Sequence, residues 1–202
     1  ALPRRPTTYF IHCPALYNRQ GVYTNDGDEP LRFVLLSRAA LDICQPTQWA
    51  PEILHCHDWQ TALIPLYLRT LYGWDRLFER TRTLFTIHNL GYQGVFSAQI
   101  LADIGLADHA RLLHQEDLNA GLINFLKTGL LYAGMLSTVS PTYAREIQTE
   151  AHGFGLHNIL ASRWESLVGI LNGVDYHEWD PATDTHIAAT YTRKSLPEKV
   201  KN

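Results

Sequence analysis

Apolar and polar positions along these 202 residues switch between a period suited to strands and one suited to helices, and the succession predicts an α/β fold. Short apolar runs bounded by polar or turn residues read as strands over 52–56 (EILHC), 83–87 (TLFTI), 136–139 (LSTV) and 167–171 (LVGIL). The run 7–12 (TTYFIH) has the β-branched and aromatic content of another. Between the strands lie helical patterns. Asp28 or Glu29 with Pro30 opens LRFVLLSRAALDIC, where Leu31, Val34, Leu35, Ala39 and Leu41 form an apolar face and Pro46 follows the end. A second helix spans 61–72, with Pro65 near its tolerant first turn. Ser97 caps AQILADIGL, a less regular stretch covers 109–117, and a longer helix covers 118–133 with Leu122, Phe125, Leu126, Leu130 and Tyr132 on one wide face. Lys127 interrupts that face, either snorkelling from its edge or, less commonly, binding a phosphate or sugar hydroxyl. Ser140, Pro141 and Glu146 mark the start of PTYAREIQTE, and LHNILASR precedes the last strand. Strands alternating with helices predict a doubly wound parallel sheet, Rossmann-like in character. Residues 183–202 are polar with one weakly helical run.

A hydrophobic content of 46% and a charged content of 18% supply one sizeable core. The net charge of -3 and pI near 6.4 show no basic excess, so neither nucleic acid nor an anionic membrane is the expected partner. The apolar runs are too short to cross a bilayer. Cys13, Cys44 and Cys56 are odd in number and lack metal-ligand spacing, which suits a reducing compartment. That cysteine usage makes a cytosolic or organelle-interior protein the expectation, and the first residues, ALPRRP, with no Met and no signal-like apolar stretch, do not decide targeting.

The candidate chemistry sits where strands end. In open α/β sheets ligands bind beyond the carboxyl ends of the strands. There, 83–94 (TLFTIHNLGYQG) runs from an apolar strand into His88 and a glycine-containing loop. Asn89, Tyr92 and Gln93 supply donors and acceptors suited to hydroxyls, while Gly91 and Gly94 permit tight turns and close approach to a ligand. Asp58 ends the preceding strand in HCHDWQ, and three readings of it stay open. It faces the same crevice as His88, or caps the next helix, or joins His55 and His57 in a zinc site; the last lacks a matching ligand pair elsewhere, and no metal is expected. The long loop 13–30 offers Tyr17, Asn18, Arg19 and Tyr23 either as sugar contacts or as a solvated lid. HGFGL at 152–156 suggests a backbone-binding loop but falls short of the GxGxxG and Walker patterns. Asn172, with Gly173, closes the last strand.

The words LYNRQGVY, SRAAL, HCHDWQTAL, TIHNLGYQGVF, FLKTGLLYA, STVSPTYAREIQT, HGFGL and GILNGVD follow one another through nearly the whole chain. In this order they resemble bacterial glycogen synthases and plant starch synthases, two-domain glycosyltransferases of the GT-B type. The resemblance implies that 1–182 is part of the N-terminal, acceptor-side domain, lacking the first strand and its KxGG loop. It implies that 183–202 starts a linker toward a C-terminal Rossmann-like domain. It further implies catalytic roles for His88, beside the transferred glucose, and for Asp58 next to it, with Tyr23 and Asn172 at the substrate cleft; Asn89, Tyr92 and Gln93, read above from their own chemistry, complete the expected substrate-binding set. The implied reaction moves glucose from ADP-glucose, or UDP-glucose in some relatives, to the non-reducing 4-hydroxyl of an α-1,4-glucan with retention. No cofactor is implied beyond that donor substrate. The compartment would be the cytoplasm of a bacterium or the plastid of a plant. Gly91 and Gly134 stand where the family often has Ala and Asp. A glucan-binding module without activity and a different GT-B transferase are the alternatives, and the chain alone is expected to be inactive.

Overall fold

The computed structural model describes residues 7–24 and 26–202. These form two compact units that divide between Ile170 and Leu171. In chain order the main elements of the first are α1 (Glu29–Asp42), β1 (Ile53–His57), α2 (Ile64–Arg69), β2 (Arg82–Ile87), β3 (Val95–Ser97), β4 (Leu122–Asn124), α3 (Phe125–Tyr132), β5 (Met135–Thr138), α4 (Pro141–Glu146), α5 (His157–Ser162) and β6 (Leu167–Gly169). A four-stranded parallel sheet has the order β1-β2-β5-β6, and β3 pairs antiparallel with β4. The expected parallel α/β sheet with intervening helices is therefore present.

Alternation along the strands decides which side each residue serves. Cys56, Phe85 and Leu136 stand side by side on one face and are buried. Helix α3 lies against that face so closely that a Cβ on Gly129 would come 3.0 Å from the Phe85 ring. Leu41, Leu66, Tyr67, Ile87, Leu126 and Leu130 complete this core. Each such side chain contributes about 1.5–3 kcal/mol by leaving water. The opposite face carries the exposed Ile53, His55, His57, Met135 and Val168.

The serine caps form as expected. Ser97 Oγ accepts from the Gln99 N–H and Ser140 Oγ from the Tyr143 N–H, with Pro141 at the start of α4. Three expectations need correction. Residues 7–12 are not a strand: the run is exposed, Phe10 at 91%, and among the described residues it pairs with none, so β propensity finds no ladder to join. The helix expected over 118–133 is interrupted by β4, because Leu122 and Ile123 continue a strand pairing with Phe96 and Ser97 before Asn124 caps α3. The helix expected over 61–72 is shorter, a tight 3₁₀ turn at Trp59–Thr61 followed by α2 with Pro65 in its first turn. The buried side of α1 also includes Arg32 and Ser37, which its apolar spacing does not reveal. Lys127 pairs with Asp117 at 2.7 Å beside His114.

The second unit is a succession of turns ending in a 3₁₀ segment, Leu196–Lys201. Asp175, Asp180 and Asp184 each accept a backbone N–H two residues on, from His177, Ala182 and His186.

Candidate functional site

Beyond the carboxyl ends of β1 and β2 lies a cavity of about 630 Å³. Its walls are Tyr23, Glu29, Asp58, Trp59, Gln60, Asn89, Gly91, Tyr92, Gln93, Gly94 and Phe96. Five of the residues singled out from sequence, Tyr23, Asp58, Asn89, Tyr92 and Gln93, thus meet in one place.

Asp58 ends β1 under constraint. Its N–H still donates to the Thr86 carbonyl at 2.9 Å, continuing the ladder, while its backbone turns to φ 50°, ψ -169°. That region suits glycine, and a side-chain-bearing residue there costs on the order of 1–3 kcal/mol. Such strain persists where the surroundings fix it. Here Asp58 Oδ1 accepts the His88 N–H at 2.7 Å, and the Thr61 hydroxyl bonds both the N–H and the carbonyl of His57. The carboxylate makes no side-chain cap on the turn that follows, so it ties the two strand ends together instead of serving as a helix cap.

The loop after β2 is held along its length. Leu90 is fully buried and its N–H donates to the Tyr143 hydroxyl at 3.1 Å. Asn89 Oδ1 accepts the Gly91 N–H at 2.9 Å. The Gln93 and Gly94 carbonyls accept the N–H groups of Leu126 and Phe125, both at 3.0 Å, which satisfies free donors in the first turn of α3. Gln93 is spoken for at both ends of its amide: Nε2 donates to the Phe154 carbonyl and Oε1 accepts from Asn124. Gly94 sits at φ 61°, and a Cβ there would lie 2.5 Å from the Trp59 ring, so the close approach that requires glycine is to a tryptophan. That tryptophan is buried among Phe33, Phe96 and Phe125.

The opposite wall comes from the long loop. The Tyr23 ring stacks on Phe33 at 6.1 Å, and its hydroxyl accepts from Gln60 Nε2 at 2.9 Å. Glu29, Trp59, Gln60 and Phe96 were not singled out from sequence as cavity residues. Gln60 stands within the HCHDWQ word and Glu29 opens the helix after the functional loop, and position next to those features is the signal each offered.

His88 is exposed and is not one of the residues lining the cavity, although its neighbour Asn89 is; its imidazole turns toward β1 and meets His57, Nε2 to Nδ1, at 3.0 Å. The His57 pKa is lowered from its ordinary value, first by partial burial and then by the neighbouring imidazoles of His55 and His88, with Asp58 acting the other way. Cys56, on the buried side of the same strand, is pushed up to about 12 by burial, which leaves it an inert thiol. Asn172 is exposed and belongs to the second unit. Among the described residues no group of three or more His, Cys, Asp or Glu converges as a metal site. Among the described residues no helix is long and apolar enough to cross a membrane.

Comparison with known proteins identifies the family. Residues 4–162 match the family model described as the starch synthase catalytic domain. Glycogen synthase from Thermodesulfovibrio yellowstonii is 45% identical over 98% of this chain and 41% of its own length. That of Koribacter versatilis is 46% identical over 96% of this chain and 40% of its own length. The solved catalytic domain of starch synthase IV from Arabidopsis thaliana, bound to ADP and acarbose, aligns with a TM-score of 0.70 and 37% identity over 87% of this chain and 36% of that one. The chain thus spans about 40% of the length of the curated relatives it matches.

Proposed function

The chain belongs to the starch synthase catalytic domain family, and from that premise we propose that it forms the acceptor-side wall of a retaining glucosyltransferase site. The observation that carries the reading is the cavity itself, which Asp58, Trp59 and Gln60 line together with Asn89 and residues 91–94, the two stretches being joined by the hydrogen bond from the His88 N–H to Asp58. In the proposed reaction the bond from glucose C1 to the diphosphate of ADP-glucose breaks. A new bond forms on the same face to the 4-hydroxyl of an α-1,4-glucan, whose proton leaves with the departing phosphate. His88 orients the glucosyl unit through its ring or backbone carbonyl, and Asp58 fixes the position of His88. Tyr23 and Tyr92 offer faces for the sugar, and Asn89 and Gln93 line its path; Asn172 is proposed to bind substrate on the family resemblance alone. Such a site works by positioning and by electrostatic stabilisation of the oxocarbenium-like state. Residues 1–182 serve as the acceptor-side domain, 183–202 lead toward a second Rossmann-like domain, and the chain alone does not turn over. The aromatic wall of Tyr23, Trp59, Tyr92 and Phe96 also favours a second reading, glucan binding without transfer.

One chimera tests both readings. Joined to the remainder of the Thermodesulfovibrio yellowstonii relative, the chain is expected to transfer glucose from ADP-glucose to glycogen. His88→Ala is expected to lower kcat by about 10²-fold or more at unchanged thermal stability. A folded chimera that binds maltooligosaccharide and transfers nothing would favour the second reading. A destabilised His88→Ala variant with normal kcat would remove His88 from the chemistry.

A further inference from the structure

Three imidazoles follow one another along the open face of β1 and into the loop after β2. The rings of His55 and His57 lie 4.1 Å apart, and those of His57 and His88 5.3 Å. At the far end His55 Nε2 meets the Thr86 hydroxyl at 2.6 Å, which meets the Ser137 hydroxyl at 2.6 Å. Both outer members are therefore tied to the sheet or to Asp58, and His57 is the piece between them. Its own backbone is fixed by the Thr61 hydroxyl on both sides of the peptide.

We propose that His57 is a positioning residue for His88, fixing the heading and the tautomer of that ring through the Nδ1 to Nε2 hydrogen bond. This rests on the reading of His88 as the residue that faces the transferred glucose. Two ring nitrogens 3.0 Å apart hold one proton between them, so the nitrogen that carries it sets the tautomer of both rings. A second proton would oppose two like charges at that contact. The titratable groups that face His57 are His55 on its own strand, Asp58 beside it and His88 across from it. Burial and the two imidazoles favour its neutral form, so it meets His88 as a neutral partner at neutral pH. The His88 nitrogen not bonded to His57, Nδ1, is then left with one defined role, as donor or as acceptor, whenever a sugar hydroxyl approaches.

The test reads the imidazole nitrogens of the 202-residue chain directly. In long-range 1H–15N spectra of the labelled chain across neutral pH, His88 is expected to show the two well-separated shifts of a single tautomer. A scalar coupling across the His57 to His88 hydrogen bond is expected in the wild type, and its absence at every pH would overturn the proposal without any variant. His57→Leu is expected to collapse the His88 shifts toward an averaged pair while the melting temperature holds. His57→Asn, whose amide reaches the place of Nδ1, is expected to restore the separation. Unchanged His88 shifts in His57→Leu, or Asn behaving as Leu does, would overturn it. None of these readings needs turnover, so a chimera without transferase activity would sink the proposed function and leave the imidazole coupling standing.

Discussion

The two loops that face each other across the cavity are held in opposite ways. Residues 88–94 are anchored through the backbone: His88 to Asp58, Leu90 to Tyr143, and the carbonyls of Gln93 and Gly94 to the first turn of α3. The loop 13–28 is anchored through side chains. Buried Arg32 donates to the Val22 carbonyl at 3.0 Å and to the Thr24 hydroxyl at 2.6 Å, and the Tyr17 hydroxyl donates back to the Arg32 carbonyl at 2.9 Å. Val22 and Tyr23 remain 69% and 63% exposed, so little apolar burial supports these bonds. The Arg19 to Asp28 ion pair lies at the surface, where such pairs contribute little. Segments with few buried contacts open locally at low cost, and backbone-bonded ones open only with the fold. One wall of the site is therefore fixed by the sheet and α3, and the other can adapt to what enters.

The largest effect is expected on the fixed wall. Gly94→Ala places a Cβ 2.5 Å from the Trp59 ring at a backbone angle of φ 61°. The left-handed conformation and the overpacking of a buried tryptophan together cost about 3 kcal/mol. Urea unfolding of the chain should show the midpoint fall without a change in slope. A Gly94→Ala variant as stable as wild type would mean that this wall yields, and the contrast between the loops would fail.

On the adaptable wall the expected effect is smaller and of another kind. Arg32→Met keeps the buried stem and removes the donors to Val22 and Thr24. Global stability is expected to drop by about 1 kcal/mol. Proteolytic nicking within 13–28 is expected to rise well beyond what that drop explains, because the loop opens without unfolding the sheet. Equal protection of the loop in both proteins would show that Arg32 does not hold it.

Much of this was legible in the sequence, and the exceptions share a cause. The parallel strands were readable because each is an apolar run stopped by a polar residue, and Ser97 and Ser140 announced their turns because a hydroxyl before a helical run has a local partner. The pair β3 and β4 was not, since three-residue strands are too short to display a period and Leu122, Phe125 and Leu126 fit a helix as well. Residues 7–12 show the reverse error, propensity without a partner strand. In the site, Asp58, Asn89, Tyr92, Gln93 and Tyr23 were named because strand ends and loops expose chemistry, yet the tie from Asp58 to the His88 N–H depends on a backbone angle that no residue type encodes. The anchoring of the Gln93 amide was hidden for the same reason. Its partners, Phe154 and Asn124, lie 61 and 31 residues away.

The smallest expected effect concerns pH and the join between β1 and the fixed wall. The folded-state pKa of His57 is lowered relative to the ordinary value, so the folded chain binds that proton less readily than the unfolded one. Its contribution to stability is then fully present above the unfolded value of about 6.5 and is lost as pH falls through the lower folded value. Wild type should therefore lose stability relative to His57→Asn as the pH is taken from above 7 to below 6. The imidazoles of His55 and His88 lower the His57 pKa in the same direction as its burial, while Asp58 opposes them. Urea midpoints of the two proteins at several pH values give the difference directly. A difference that stays flat through this window would mean that His57 protonates as freely in the fold as in the unfolded chain, and that the fixed wall extends no further than the bond between His88 and Asp58.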